Sequence, residues 1–144
     1  MRTAILLAGM LLSSTVLADA NAIGYVNTVN GEATITTAGK KVKAEVGTAI
    51  FQGSQLKTAA KSSMGITFKD KTVMSFGPET ELTVDEYLYN PSQNKLKLGS
   101  KLTKGSLNYV SGVIAKLQPS AVTVTTPTGT IGVRGTQFAV KVEE

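Results

Sequence analysis

Short segments in which apolar and polar residues alternate fill most of this chain. Met64, Ile66 and Phe68 recur at a spacing of two, and residues 95–98 (KLKL) and 122–125 (VTVT) alternate in the same way. Because successive side chains of a strand point to opposite faces, this pattern predicts strands that bury one face. Residues 113–117 form the only segment with helical character, and that segment is short.

Turn residues divide the chain into roughly ten to twelve short strands, at spacings of about 8–12 residues. This division predicts an all-β fold, either a sandwich or a barrel, and not a βαβ fold. Glycine phrases around Gly47 and Gly53 leave a short β-solenoid or roll as the alternative. A solenoid keeps a fixed repeat, whereas the glycine spacings here drift.

Three local features of the sequence each predict a particular structure. Asn30-Gly31 predicts a type I′ turn that pairs residues 23–29 with residues 32–37, because both central residues of that turn need a positive φ. Residues 87–94 contain Asn90-Pro91 and predict an irregular connection. The lysines of residues 95–98 are typical of an edge strand that is protected from aggregation.

The amino-terminal residues have the layout of a secretory signal peptide. Arg2 is followed by an apolar run over residues 4–12, and Ala18-Asp19-Ala20 offers small residues for a signal peptidase. We expect residues 1–20 to be removed, leaving residues 21–144 as one β domain without a membrane segment. The alternative, a retained anchor, is disfavoured because the run is shorter than the ~20 residues that a span needs.

The formal net charge is +5, and most of it comes from lysines scattered along the chain. A periplasmic or secreted protein does not meet nucleic acid in the cytoplasm. The sequence therefore predicts an anionic envelope polymer or an envelope protein as partner. The alternative is that the lysines only keep a β-rich surface soluble.

Several phrases, in order along the chain, resemble the FecR domain family. The closing phrase is the most specific, since it combines turn residues, β-branched residues and one arginine: Gly132-Val133-Arg134-Gly135-Thr136. The earlier phrases are residues 24–26 with 31–33, 46–50 with 53–58, 63–70 with 72–78, and 105–107.

This resemblance implies a β-sandwich with a jelly-roll-like arrangement, in the bacterial periplasm. Members of the family are signal transducers that sense a loaded outer-membrane receptor and control a sigma factor through a cytoplasmic segment and one membrane helix. The sequence offers neither of these two parts, so we expect a stand-alone module. It would take part in signalling by binding a membrane sensor, a receptor or an anionic polymer.

The composition argues against an enzyme. The chain contains no histidine and no cysteine, which excludes Ser-His and Cys-His pairs and the usual zinc sites. We expect no cofactor and no metal. Glu79 and Glu81 would lie about 7 Å apart on one face of a strand, so a glycan-acting enzyme is the less favoured alternative. A structural or adhesive secreted module is the other one.

The candidate binding residues come from two segments. Arg134 is the only arginine after the leader, and its guanidinium suits a carboxylate or a phosphate. Lys95 and Lys97 would form a basic stripe together with Lys101 and Lys104. Tyr87 and Tyr89 would line a patch for a partner. For each residue a structural role is the alternative: Arg134 would lock the closing strands, and the tyrosines would pack at a sheet edge.

Overall fold

The computed structural model describes residues 21–132 and 135–143 of the 144-residue chain. The predicted leader, residues 1–20, lies outside the described residues. The described residues confirm the all-β prediction, and their only α-helix is α1 (Val113–Leu117), in the segment with helical character. The strands are β1 (Gly24–Asn30), β2 (Ala33–Thr37), β3 (Lys40–Lys43), β4 (Ala49–Ile50), β5 (Gln55–Thr58), β6 (Ser63–Phe68), β7 (Val73–Phe76), β8 (Glu81–Asn90), β9 (Lys95–Val110), β10 (Val122–Thr126), β11 (Gly129–Gly132) and β12 (Gln137–Val142).

All of these strands belong to one curled sheet with the order β3-β2-β5-β8-β9-β7-β6-β1-β4. In addition, β10 pairs with β9 in parallel, β11 pairs with β10, and β12 pairs with β9. Every other pairing is antiparallel. The sandwich itself stays a prediction, because the strands are continuous through β9.

The long strand β9 divides the sheet into two halves. Its residues 95–104 pair with β8 and β10, and its residues 105–110 pair with β7 and β12. We call the half with β2, β3, β5, β8, β10 and β11 half B. The half with β1, β4, β6, β7 and β12 is half A. A single strand therefore carries the chain from one half to the other.

The change of half occurs at Gly105, which has a φ of 93°. A side chain at this position would strain the backbone and overlap Thr80, which packs directly against the Gly105 backbone. Thr80 is itself buried; its hydroxyl donates to the Gly77 carbonyl (2.9 Å) and accepts from the Ser106 amide (3.0 Å). The bend in β9 is thus fixed by a close backbone approach and a buried hydroxyl.

The inward faces of both halves meet in one hydrophobic core. Met64, Ile66 and Phe68 are buried, as the alternation predicts, and so are the predicted inward residues Leu82 and Val84. Each such side chain contributes about 1.5–3 kcal/mol when it is removed from water. Because the halves share these side chains, neither half has a core of its own.

Two local expectations are wrong, and a third is right only in part. Of the pair Asn30-Gly31 only Gly31 has a positive φ, and β1 pairs with β4 and β6 while β2 pairs with β3 and β5. The chain therefore crosses between halves at this point instead of forming a hairpin. Residues 87–90 continue β8 and pair with β9, so the connection shrinks to a 3-10 turn, Pro91–Gln93. The strand that carries Lys95 and Lys97 is β9, which is central to the sheet, although among the described residues its positions 95–97 pair with β8 alone and so form a local edge.

Candidate functional site

Tyr87 lies inside the molecule, at the junction of the two halves. The ring is buried and stacks on Phe68, with the two centroids 5.2 Å apart. Its hydroxyl donates to the Asp70 carboxylate (2.9 Å) and accepts from the Asp70 amide (3.1 Å). Burial raises the pKa of Tyr87 well above its usual range, and the Asp70 carboxylate adds to the rise. The predicted binding role of Tyr87 stays a prediction, and the contacts observed here are structural.

Asp70 is the residue of this network that the sequence did not single out. Its side chain is fully buried, and besides Tyr87 it accepts from the Thr72 hydroxyl (2.8 Å) and from the Ile114 amide at the start of α1 (2.9 Å). The Asp70 carbonyl also accepts from the Val113 amide (2.7 Å). One carboxylate therefore ties together the β6–β7 turn, β8 and α1.

The remaining predicted residues of the β8–β9 hairpin lie on opposite faces. Tyr89 is half-buried and packs against the core beside Tyr87, whereas Lys95 and Lys97 alternate with the buried Leu96 and Leu98 and are exposed. The structure thus keeps the two lysines together and separates them from the tyrosines. Arg134 lies outside the described residues.

The two lysines belong to a larger basic surface on the outer side of half B. One register row crosses seven strands, each residue being the cross-strand partner of the next: Lys41, Thr36, Gln55, Thr83, Lys101, Thr125 and Thr130. At ~4.8 Å between strands the row is about 29 Å wide. A second row runs beside it: Lys43, Thr34, Lys57, Glu81 and Lys104. We call these two rows, with Lys95 and Lys97, the lysine face.

Acidic side chains neutralise part of this face only. Glu81 lies 3.7 Å from the Lys57 ammonium and 3.6 Å from that of Lys104, and Glu86 lies 3.5 Å from that of Lys97. Lys41, Lys43, Lys95 and Lys101 are exposed and form no ion pair with any acid of the described residues. The face therefore keeps a positive charge that a bound anion can meet.

The outer side of half A has a different character. Its register rows are Ala49, Tyr25, Thr67, Val73, Val110 and Gln137, and beside them Gly65, Ser75, Asn108 and Ala139. Neither row contains a charged side chain. We call these two rows the neutral face. Along β7, β9 and β12 its small side chains leave a groove of about 510 Å³, which Lys141 borders.

The carboxylate pair considered for glycan hydrolysis does not form. Glu79 precedes β8 and has a φ of 50°, so it is not an extended residue two places before Glu81 on one strand. Glu81 is engaged with Lys57 and Lys104. The predicted spacing rested on an extended chain through both residues, and the turn after Pro78 removes that condition.

The sequence does not reveal Lys41, Lys43 and Lys57 as members of one surface with the lysines of β9. They lie on β3 and β5, and only the pairing of β3, β2, β5, β8 and β9 brings them beside Lys101. Alternation within each strand indicates which residues point outward. It does not indicate which strands are neighbours.

A sequence profile of the family described as FecR protein matches residues 54–144, which run from the residue before β5 through β12. The chain belongs to the FecR family. This family takes part in signal transduction in the cell envelope and is not a family of enzymes. No curated protein and no solved structure shows significant similarity to the chain. In the part of the chain that the structure describes, no helix is long and apolar enough to span a membrane.

Proposed function

We propose that this protein is a non-enzymatic sensing module of the envelope, periplasmic or secreted after removal of its leader, and that it takes part in signalling by binding. Membership of a family of envelope signal transducers supports the class. The lysine face supports the manner of action, because it presents charge and hydrogen-bonding groups on a scaffold of paired strands. The predicted partner is an envelope protein, such as a membrane sensor or receptor, or an anionic envelope polymer.

The observation that carries this proposal is the shared orientation of the lysines. Lys41, Lys57, Lys95 and Lys101 come from three strands and point outward from one half of the sheet. A row of lysines that served solubility alone would not need this clustering, since charges spread over both halves serve solubility equally well. The predicted contacts of Tyr89 and Arg134 stay predictions, because Tyr89 packs against the core and Arg134 lies outside the described residues.

Crosslinking in intact cells tests the proposal. A photoreactive amino acid at Thr83 lies in the middle of the lysine face, and the same amino acid at Asn108 lies on the neutral face. We expect Thr83 to capture a defined envelope component and Asn108 to capture less of it. The variant Lys95→Gln/Lys97→Gln should weaken the capture at Thr83. Equal capture from both positions, or no capture from either, would contradict a binding role for the lysine face.

The same cells also distinguish the proposed function from its two alternatives, a structural or adhesive module and a glycan-acting enzyme. A structural or adhesive module would show no capture that depends on lysine, and deletion would change cell adhesion and leave signalling output unchanged. A glycan-acting enzyme would lose a measured hydrolysis in Glu79→Gln/Glu81→Gln with its fold intact. The proposed function predicts a loss of signalling output and no such hydrolysis.

A further inference from the structure

The lysine face combines features that suit a long, hydrated anion. Lys41 and Lys101 stand at two positions of one register row, separated by Thr36, Gln55 and Thr83. Four strand spacings of ~4.8 Å put the two lysine positions about 19 Å apart along the sheet. No single small anion reaches both ammonium groups, so a ligand that uses the whole row has to be a polymer or a surface.

The side chains between the lysines are hydrogen-bonding groups of moderate length. Thr34, Thr36, Thr83 and Thr125 are half-buried residues of the lysine face whose outward side is polar, and the hydroxyls of Thr125 and Thr130 lie 3.4 Å apart. Hydroxyls and amides both donate and accept, and they therefore match a ligand rich in hydroxyl groups. Ammonium groups placed among them match the sulfates, phosphates or carboxylates of such a ligand.

The face lacks the groups that other partners need. Its two register rows contain no aromatic and no large aliphatic side chain, whereas protein interfaces depend on such anchors at their centres. Binding to a lipid surface likewise depends on apolar side chains that enter the headgroup region. Leu88, which is 51% exposed, is a single apolar residue at the far end of the face beside Lys97.

From these observations we propose that the lysine face binds a polyanionic glycan, laid across β3, β2, β5, β8 and β9 and held by Lys41, Lys43 and Lys101. The inference rests on the proposed function, since it names the class of ligand for the same surface. The ammonium groups supply the attraction and the release of counterions, and the threonine hydroxyls bond the sugar hydroxyls. Such binding weakens steeply with salt, as it does for any linear polyanion.

The test measures the binding of fluorescent heparin, a sulfated glycan, to the purified protein at about 50 mM and about 200 mM salt. The face variant is Lys41→Gln/Lys43→Gln/Lys101→Gln. The matched control is Lys69→Gln/Lys116→Gln/Lys141→Gln, which removes the same charge from exposed residues outside the lysine face. We expect the face variant to lose at least about tenfold in affinity at the lower salt and to have a shallower salt dependence, while the control changes less than about threefold.

All six positions are exposed, and thermal unfolding should confirm that both variants keep the fold. Several results would overturn the inference: equal losses in the two variants, no heparin binding by the unaltered protein, or equal binding of uncharged dextran. Tighter binding to phosphatidylglycerol vesicles than to heparin would assign the face to lipid and overturn it too. If heparin does not bind while a photoreactive amino acid at Thr83 still captures an envelope protein in cells, the proposed function is supported and the inference of a polyanionic glycan is wrong.

Discussion

The two outer faces of the sheet differ although they cover the same core. The lysine face of half B carries ammonium groups, threonines and one glutamine, and the neutral face of half A carries uncharged, mostly small side chains around a groove. Both faces include residues of β9, which contributes Lys101 to one and Asn108 to the other. The difference therefore arises on the solvent side alone, where packing does not dictate the residue.

This contrast indicates that the inward and the outward residues of the sheet have separate roles. The inward residues decide the fold, and the outward residues are free to serve recognition. Desolvation of charged side chains is costly, so the lysine face suits a partner that brings opposite charge. Covering the neutral face requires no desolvation of charged side chains, and that face does not select for a charged partner.

The largest expected effect belongs to Gly105, where β9 passes from one half to the other. Gly105→Ala should lower the free energy of unfolding by about 3–5 kcal/mol, because the new methyl group overlaps Thr80 and the φ is unfavourable. Gly53 has a similar φ of 90° but open surroundings, so Gly53→Ala should cost only about 1 kcal/mol. Urea unfolding measures both variants. Equal losses would contradict the close approach at the bend.

The second junction is the Asp70 network, which links half A to Tyr87 and α1. Asp70→Asn removes the negative charge that accepts the buried hydrogen bonds. It should lower the free energy of unfolding by about 3 kcal/mol. Asp85→Asn is the matched change at an exposed carboxylate, and it should stay within about 0.5 kcal/mol of the unaltered protein. Thermal and urea unfolding give the comparison. An Asp70→Asn protein as stable as Asp85→Asn would show that the network does not hold the halves together.

Stability at alkaline pH also tests the Asp70 network, through the ionisation of Tyr87. Burial raises the pKa of Tyr87 and of Tyr109 in the folded state, whereas an unfolded tyrosine ionises near pH 10. The stabilisation is therefore complete below about pH 10 and is lost as the pH rises above it, by up to ~1.4 kcal/mol per pH unit for each tyrosine.

The variant Tyr87→Phe tests this dependence. It should be less stable at neutral pH because the bonds to Asp70 are gone, and its further loss above pH 10 should be smaller by one ionising group. Unfolding in urea between about pH 9 and pH 11 measures the slope. An unchanged alkaline slope in Tyr87→Phe would contradict the assignment.

The smallest effect concerns Glu81 on the lysine face, where it lies between Lys57 and Lys104 and its side chain is 22% exposed. Glu81→Gln should cost about 0.5–1 kcal/mol at low salt, and the loss should shrink as salt screens the remaining lysines. The control Glu79→Gln, at an exposed residue of the preceding turn, should be neutral. If the two substitutions behave alike, the charge balance of the lysine face is not as described.

The sequence predicted the fold class and most strand positions, because alternation at Met64, Ile66 and Phe68 or at Leu96 and Leu98 depends only on neighbouring residues. It failed where a long-range contact decides the outcome. Gly31 suits a tight turn, yet the chain crosses between halves there, and the Glu32 amide donates to the hydroxyl of Ser62. Asp70 reads as a polar turn residue, and only the return of β8 and α1 buries it.

The candidate site was predictable in part for the same reason. Lys95 and Lys97 are outward residues of one alternating strand, so the sequence reveals them directly. Lys41 and Lys57 join them through the β2–β5 and β5–β8 pairings, whose strands are separated along the chain by other strands. The inward orientation of Tyr87 and Tyr89 follows from the register shift between Val84 and Glu86, which the sequence does not signal.

Backbone amide NMR during a heparin titration tests the central claim most directly, because each strand gives its own amide signals. The account predicts shifts that saturate and cluster on β3, β2, β5, the first residues of β8, residues 95–101 and β10, with the amides of β7 and β12 unchanged. Shifts centred on the groove between β7, β9 and β12, or spread evenly over both faces, would contradict it.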